Sequence, residues 1–226
     1  MSLWVKICAN TSLEDARLAA DAGADAVGFV FAPSPRRVTT AQVAEITPQL
    51  PQGIEKIGVF VDATLEEIVD AIQACGLTGA QLHSDVAPEA PAFLRRRFGS
   101  KLHILRVVHF GPRAAAEAIA LAQDADVDSV LVDSRTAAAV GGTGITFDWQ
   151  LAKDAVFQSA AVRQQRVIAA GGLNPDNVAE AIDTLRPWGV DVASGVEAAP
   201  GRKDPGKVRA FISAARSASR LRQPEV

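Results

Sequence analysis

Eight short apolar runs alternate with amphipathic stretches along the chain, and this alternation constrains the fold more than any other feature. Several of the runs are almost wholly apolar, which is typical of parallel strands that are covered on both faces. The stretches between them have the periodicity and the capping residues of helices. The runs that we predict as strands are residues 3–8, 25–31, 56–61, 79–83, 102–108, 129–133, 166–171 and 190–195.

Capping residues place the ends of several predicted helices. Thr11 and Thr64 are each followed three residues later by a glutamate, which is the spacing of a capping box. Asn174 stands directly before a proline, and this pair predicts the start of another helix there. The last predicted helix covers residues 204–216, and a polar tail of about 217–226 is expected to fray.

Eight strand–helix pairs in one chain without a linker predict an α/β fold, a single (β/α)8 TIM barrel over residues 1–226. A doubly wound open sheet is the competing architecture. The glycine-rich dinucleotide-binding pattern that often follows the first strand of such a sheet is missing here, and the glycine clusters occur late in the chain. This distribution favours the barrel.

Composition and charge exclude several classes of partner. The net charge is −3 and the isoelectric point about 5.6, so no basic field favours nucleic acid. No apolar stretch approaches the roughly 18 residues of a membrane span. Two cysteines do not make a disulfide scaffold, and we expect a cytoplasmic protein with reduced thiols. A chain of this size is compatible with either a monomer or a homodimer.

Polar side chains stand at the carboxyl ends of the predicted strands, where the active sites of barrels lie. They are Cys8, His83, Asp133 and Asp191. Cys8 has several interpretations: a small buried residue, half of a disulfide, a metal ligand or a catalytic thiol. Asp133 could equally cap its own loop. The histidines show no ligand spacing with either cysteine, so we predict no metal site.

Two glycine-rich loops and one Ser-Gly pair predict a phosphate site. In many barrels the loops after strands seven and eight bind phosphate, because glycine lets the oxygens approach backbone amides near a helix N-terminus. The alternative is that these glycines only form tight turns. The residues predicted to bind phosphate are Gly171, Gly172, Ser194 and Gly195, with Gly142 and Gly144 adding amides from the neighbouring loop.

The order of the motifs resembles the phosphoribosylanthranilate isomerases of tryptophan biosynthesis. The matching stretches include "VKIC", "GFVF", "LVDS", "GGTGITFDW", "AGGLNPDNV" and "VDVASGVE". They resemble the family's "KICG", "GFVF", "LLDT", "GG(S/T)G…FDW", "SGGL" and "VDVSSGVE", and they span essentially the whole chain in order. The resemblance is therefore far more specific than any single motif.

The resemblance implies a barrel that converts N-(5′-phosphoribosyl)anthranilate to 1-(2-carboxyphenylamino)-1-deoxyribulose 5-phosphate, with no cofactor and no metal. It implies that Cys8 is the general base and Asp133 the general acid of this Amadori rearrangement. Asp133 would protonate the furanose oxygen, and the Cys8 thiolate would then remove the proton from C2′. The small-molecule substrate is the only partner that the resemblance implies.

Three substrate contacts are predicted, and the resemblance implies two of them, Arg36 and Asp191. Arg36 matches the arginine that meets the anthranilate carboxylate, a group that a guanidinium binds bidentately. Arg37 stands where the family usually has an aromatic residue, so either arginine could point inward. His83 and Asp191, at the ends of their strands, are the other two predicted contacts.

Two positions depart from the family pattern. Ala9 stands where the family usually has glycine, and alanine would be strained if that position needs a positive φ. Ala193 replaces the first serine of the family's "SSG". Neither change removes a predicted acid or base, and we expect both to be tolerated.

The sequence is also compatible with other functions of a phosphate-binding barrel. Indole-3-glycerol phosphate synthase is another phosphate-binding barrel, but it needs a lysine and glutamates at its strand ends. This chain has Lys6 inside its first strand but no comparable set. A sugar-phosphate epimerase would need paired aspartates and metal-binding histidines. The alternative from another class is a catalytically silent or differently specific sugar-phosphate-binding barrel.

Overall fold

The computed structural model describes residues 3–83, 85–133, 149–159 and 165–221. Eight parallel strands form a closed barrel in sequential order, and the helices lie between them in the chain. The predicted (β/α)8 barrel is confirmed, and the open sheet is excluded because β1 pairs with β8. The barrel strands are β1 Trp4–Ile7, β2 Ala26–Val30, β3 Glu55–Phe60, β4 Gly79–Leu82, β5 His103–His109, β6 Ser129–Asp133, β7 Arg166–Ala170 and β8 Gly189–Val192.

The helices cover the outside of the barrel. They are α1 Leu13–Asp21, α2 Thr40–Ile46, α3 Leu65–Cys75, α4 Ala90–Phe98, α5 Ala114–Ala122, α6 Trp149–Ala152, α7 Val178–Leu185 and α8 Pro205–Arg220. A two-stranded antiparallel hairpin, β9 Glu197–Ala199 with β10 Arg202–Lys203, stands between β8 and α8. None of the helices in the described part of the chain has the length and apolar character that a bilayer crossing requires.

Alternation along each strand separates the barrel interior from the layer under the helices. Trp4, Leu131 and Ile168 belong to one buried cluster inside the barrel. Val5 and Ile7 point the other way and join a large cluster with the surrounding helices. A residue that lies an even number of positions from Trp4 on β1, or from Leu131 on β6, therefore points into the barrel. We call this having the same parity.

The capping prediction is confirmed for one helix and wrong for another. Thr64 caps α3 in a full capping box with Glu67, and the helix ends at Gly76 in the left-handed conformation. Helix α1 is instead capped by Ser12, whose hydroxyl accepts the amide of Asp15. The Thr11 hydroxyl is unavailable for capping because it donates to the carbonyl of Gly201.

The predicted helix start at Asn174 is also wrong. The Asn174 side chain accepts the amides of Asp176 and Asn177 at 2.8 Å and 3.2 Å, which closes a turn rather than a helix. Asn177 then precedes α7, which begins at Val178. Strand β8 ends at Val192, two residues before Ser194. The loops after β7 and β8 are therefore longer than the sequence suggests.

The prediction that the chain frays from about residue 217 is wrong for residues 217–220, because α8 continues through Arg220. Arg216 holds its last turns against the bottom of the barrel, where its Nη2 donates to Asp25 at 2.7 Å and to the carbonyl of Gly23 at 2.8 Å. Residues 222–226 lie outside the described part of the chain.

Candidate active site

The C-terminal mouth of the barrel holds a buried thiol on β1's inner face. Cys8 follows β1 and has the same parity as Trp4, so its side chain points into the barrel. The residue is 6% exposed. Cys8 and Cys75 are both free, so the interpretation of Cys8 as half of a disulfide is wrong. Burial raises the pKa of the Cys8 thiol above its ordinary value, and the charge of Lys6 lowers it only in part.

Glycine at position 28 leaves the space that the thiol occupies. A Cβ on Gly28 would lie 2.8 Å from the Sγ atom of Cys8 and 3.0 Å from the Cε atom of Lys6. Any larger residue at this position of β2 would push one of these two side chains aside. The neighbouring strand is thus shaped around the thiol and the lysine.

A buried lysine lies one layer below the thiol. The Nζ atom of Lys6 donates to Oδ1 of Asp191 on β8 and to Oε1 of Gln81 on β4, each at 2.9 Å. Lys6 has no solvent exposure, and Asp191 is 8% exposed. Burial opposes the charge of Lys6, but Asp191 and Cys8 outweigh it and raise the lysine's pKa. These three side chains form a polar layer across the barrel.

Asp133 stands on the far side of the mouth from Cys8. It ends β6 with the parity of Leu131, so its carboxyl points inward, and the residue is 2% exposed. In the closed order, β6 is three strands from β1 through β7 and β8. A thiol and a carboxyl therefore point into the same end of the barrel interior from strands three positions apart, an arrangement that suits acid–base chemistry on a molecule bound between them.

Two histidines complete the wall between these groups. His83 follows β4 and His109 ends β5, and their ring centroids are 5.7 Å apart. Nε2 of His83 lies 3.5 Å from Nε2 of Gln81, which connects the histidine to the polar layer below. His83 thus stands at the mouth, where it was predicted.

An ion-pair cluster joins two loops above β1. Arg36 in the β2–α2 loop binds Glu197 of β9 through two nitrogens, Nε at 2.9 Å from Oε1 and Nη2 at 2.7 Å from Oε2. Nζ of Lys203 lies 3.3 Å from the same Oε1. Burial works to raise the pKa of the Glu197 carboxyl, but Arg36 and Lys203 outweigh it and hold that pKa below its usual range.

The loops after β7 and β8 pack directly on each other. Gly171 and Gly172 have φ of 86° and 64°, a conformation that favours glycine. A Cβ on Gly195 would lie 1.9 Å from the carbonyl oxygen of Leu173. Glycine at 195 therefore allows the Ser194–Gly195 turn to approach the loop that follows β7.

The sequence of residues 5–214 matches the family model described as N-(5′-phosphoribosyl)anthranilate (PRA) isomerase. The chain belongs to this family. A PRA isomerase of Pelobacter propionicus is 45% identical over 213 residues, covering 94% of this chain and 95% of its own length. A PRA isomerase of Citrifermentans bemidjiense is 42% identical, with 94% and 96% coverage.

Solved structures of PRA isomerases have the same fold. The crystal structure of the Thermotoga maritima enzyme superposes with a TM-score of 0.79 at 36% identity, covering 95% of this chain and 99% of that one. Another crystal structure shows a PRA isomerase in complex with reduced 1-(o-carboxyphenylamino)-1-deoxyribulose 5-phosphate. It is 34% identical, with a TM-score of 0.76 and the same coverage.

The structure brings most of the predicted site residues to one end of this PRA-isomerase barrel. Cys8, His83, Asp133 and Asp191 all reach the interior or mouth from their strand ends. Arg36 is the half-buried member of the arginine pair, whereas Arg37 is exposed. Gly171, Gly172, Ser194 and Gly195 lie together in the loops after β7 and β8, and Gly142 and Gly144 lie outside the described residues.

Four residues of the site were given no role from the sequence: Lys6, Gln81, Glu197 and Lys203. A signal was available for the first two. Lys6 is a charged residue inside an otherwise apolar run and stands two positions before Cys8, so it shares the inner face. Gln81 likewise stands two positions before His83 and shares its inner face. Glu197 and Lys203 lie in a hairpin that no periodicity predicted.

Proposed function

We propose that this protein catalyses the isomerisation of N-(5′-phosphoribosyl)anthranilate to 1-(2-carboxyphenylamino)-1-deoxyribulose 5-phosphate, a step of tryptophan biosynthesis. Membership of the PRA isomerase family over residues 5–214 supports this activity. The single structural observation that carries it is the buried thiol of Cys8 facing the carboxyl of Asp133 across the barrel mouth.

Asp133 acts as the general acid in the first step. Its carboxyl transfers a proton to the furanose ring oxygen, the C1′–O bond breaks, and the nitrogen lone pair forms the C1′=N bond of a protonated Schiff base. The Cys8 thiolate then removes the proton from C2′, and the electrons of that C–H bond form the C1′=C2′ double bond of an enolamine. Proton loss from its C2′ hydroxyl and protonation at C1′ give the ketone.

Burial of the thiol makes the thiolate the scarce form of the base. Because its pKa is raised, only a small fraction of Cys8 is deprotonated at neutral pH. A C–H proton next to a protonated Schiff base is acidified by the positive nitrogen, which lowers the barrier that the thiolate has to overcome. The carboxylate product of Asp133 is left facing the cation that it created.

The remaining predicted residues hold the ends of the substrate. Arg36 binds the anthranilate carboxylate through its guanidinium, which Glu197 orients. Gly171, Gly172, Ser194 and Gly195 bind the phosphate in the loops after β7 and β8. Gly142 and Gly144, which the sequence also predicts as phosphate-binding residues, lie outside the described part of the chain. His83 and Asp191 bound the cavity in which the ribose opens.

The test is turnover of freshly made phosphoribosylanthranilate carrying ¹³C in the ribose. Substrate and product are isomers of equal mass, so carbon NMR identifies the product by the new ketone signal at C2′. We expect the C2′ signal of the furanose ring to be replaced by a ketone carbon signal, without added metal or cofactor. If the protein binds the reduced product analogue but forms no ketone, the differently specific or silent barrel replaces this proposal.

Cellular location and assembly are part of the same proposal. A PRA isomerase of tryptophan biosynthesis is expected in the cytoplasm. Its assembly is proposed as monomer or homodimer, and one solved relative, from Thermotoga maritima, is described as a dimeric enzyme from which monomers were made. Sedimentation equilibrium distinguishes the two states directly.

A further inference from the structure

A lysine at the centre of the barrel needs an explanation, because a fully buried ammonium is costly unless it is paired. Lys6 has no exposed surface, and it is among the largest of the fully buried side chains. An aliphatic residue would fill the same space without that cost. The fold instead supplies an acceptor from β8 and another from β4 for the ammonium, Asp191 and Gln81, each at 2.9 Å.

The third neighbour of Lys6 is the thiol that we propose as base. Lys6 and Cys8 are two residues apart on the inner face of one strand, and both side chains pass within 3.0 Å of the point where a Gly28 Cβ would be. Hydrogen bonding and charge from Lys6 lower the pKa of the Cys8 thiol, although burial raises it more. In return, Cys8 helps to raise the pKa of Lys6.

We propose that Lys6 is a positioning residue that stabilises the thiolate of Cys8, and that Asp191 and Gln81 hold its ammonium in place. The inference rests on the proposed function, in which that thiolate removes the C2′ proton. Lys6 keeps its own proton throughout: the S–H bond forms as the C2′–H bond breaks, and the lysine charge favours the thiolate before that transfer.

Within the described ranges, three charged groups act on the thiol from the elements around it. Lys6 on β1 and Lys203 on β10 favour the thiolate, whereas Asp191 on β8 opposes it. Lys203 is engaged with Glu197 and with the carbonyl of Ala193. Lys6 has the larger effect of the two lysines. Replacing Lys6 should therefore change the pKa of the Cys8 thiol more than replacing Lys203.

The test is the pH dependence of Cys8 alkylation by iodoacetamide, followed by mass spectrometry of the Cys8 peptide so that Cys75 is scored separately. Lys6→Met keeps the length and removes the charge, and we expect the half-maximal pH to rise by about one unit or more. Lys6→Arg should restore most of the wild-type value. Lys101→Met, at an exposed position away from the mouth, is the matched control and should leave it unchanged.

A second comparison covers the case in which Lys6→Met does not fold because Asp191 is left unpaired. Adding Lys6→Met to an Asp191→Asn background leaves no lone buried carboxylate, and the midpoint should again be higher in the double variant than in Asp191→Asn. In active protein, kcat should fall in Lys6→Met while KM stays within about twofold, because Lys6 acts through Cys8 rather than on substrate.

The outcomes separate this inference from the proposed function. An unchanged alkylation midpoint in folded Lys6→Met, or in the double variant, overturns the role of Lys6 even if the wild type is a fully active isomerase. If the alkylation midpoint is higher in Lys6→Met but the wild type forms no ketone product, the coupling between Lys6 and Cys8 is upheld. The proposed isomerase activity is then wrong.

Discussion

Arg36 and Glu197 are 161 residues apart in the chain, yet Nη2 of Arg36 lies 2.7 Å from Oε2 of Glu197. Nε of the same guanidinium reaches both carboxylate oxygens, at 2.9 Å and 3.1 Å. The pair fixes the plane of the guanidinium between the segments that follow β2 and β8, the two strands that flank β1 and its Cys8. A substrate carboxylate bound by Arg36 would therefore meet a side chain that is already oriented.

This relationship predicts which of the two adjacent arginines binds substrate. We expect Arg36→Ala to raise KM about tenfold or more with a smaller effect on kcat, because one charged hydrogen bond contributes roughly 1.5–3 kcal/mol. Arg37→Ala is the matched control, since Arg37 is exposed, and it should change KM little. Steady-state kinetics check this, and a larger KM effect in Arg37→Ala would contradict the assignment.

Glu197 should make part of the stability depend on acid pH. Its pKa is held below the ordinary carboxyl value in the folded protein, so its contribution is fully present above the unfolded pKa and disappears as pH falls through the folded one. Glu197→Gln should be less stable than the wild type at neutral pH, and this difference in the free energy of unfolding should shrink as the pH falls below the ordinary carboxyl range.

Denaturant unfolding of both proteins at a series of pH values measures this difference in the free energy of unfolding. Glu45→Gln, on the exposed surface of α2, is the control and should follow the wild-type curve. If the free energy of unfolding of Glu197→Gln is lower than that of the wild type by the same amount at every acid pH, the charge of Glu197 contributes nothing to stability.

Ala9 holds a backbone conformation that its side chain disfavours. Its φ is 62°, and the residue is 1% exposed, directly after Cys8. Left-handed backbone costs a residue with a Cβ about 1 kcal/mol or more. Ala9→Gly should therefore raise the free energy of unfolding by about 1 kcal/mol.

The control for Ala9→Gly is Ala210→Gly, at an exposed position in the interior of α8, which should lower the free energy of unfolding by about 0.5–1 kcal/mol. Denaturant titrations of the three proteins test both signs. Destabilisation of similar size at the two positions would mean that the positive φ of Ala9 is not strained.

The contact between the loops after β7 and β8 predicts the effect of a single methyl group. A Cβ on Gly195 would lie 1.9 Å from the Leu173 carbonyl oxygen, so Gly195→Ala must separate the two loops. We expect KM for the phosphorylated substrate to rise about tenfold or more. Gly53→Ala, which meets no atom within 4 Å, is the control, and equal KM values for the two variants would remove Gly195 from the phosphate site.

The barrel and the positions of Cys8 and Asp133 were predictable because they depend on local patterns. Apolar runs place the strands, and the last residue of a parallel strand lies at the mouth of a barrel whichever helices surround it. Resemblance to PRA isomerases then supplied roles that spacing alone left open.

Contacts across the barrel were not predictable in the same way. The partners of Lys6 come from β4 and β8, 75 and 185 residues further along the chain, and no local pattern reports such pairings. Glu197 meets Arg36 through a hairpin that has no hydrophobic periodicity. Asn174 has the residue type of a helix cap, but its side chain closes a turn instead.

The central claim is that the thiol of Cys8 and the carboxyl of Asp133 transfer the protons of the isomerisation. Its most direct test is turnover of freshly made phosphoribosylanthranilate, followed by loss of its fluorescence, in wild type, Cys8→Ser and Asp133→Asn. We expect both variants to lose about a hundredfold to ten-thousandfold in kcat while still binding the reduced product analogue. Either variant turning over at close to the wild-type rate would contradict the account.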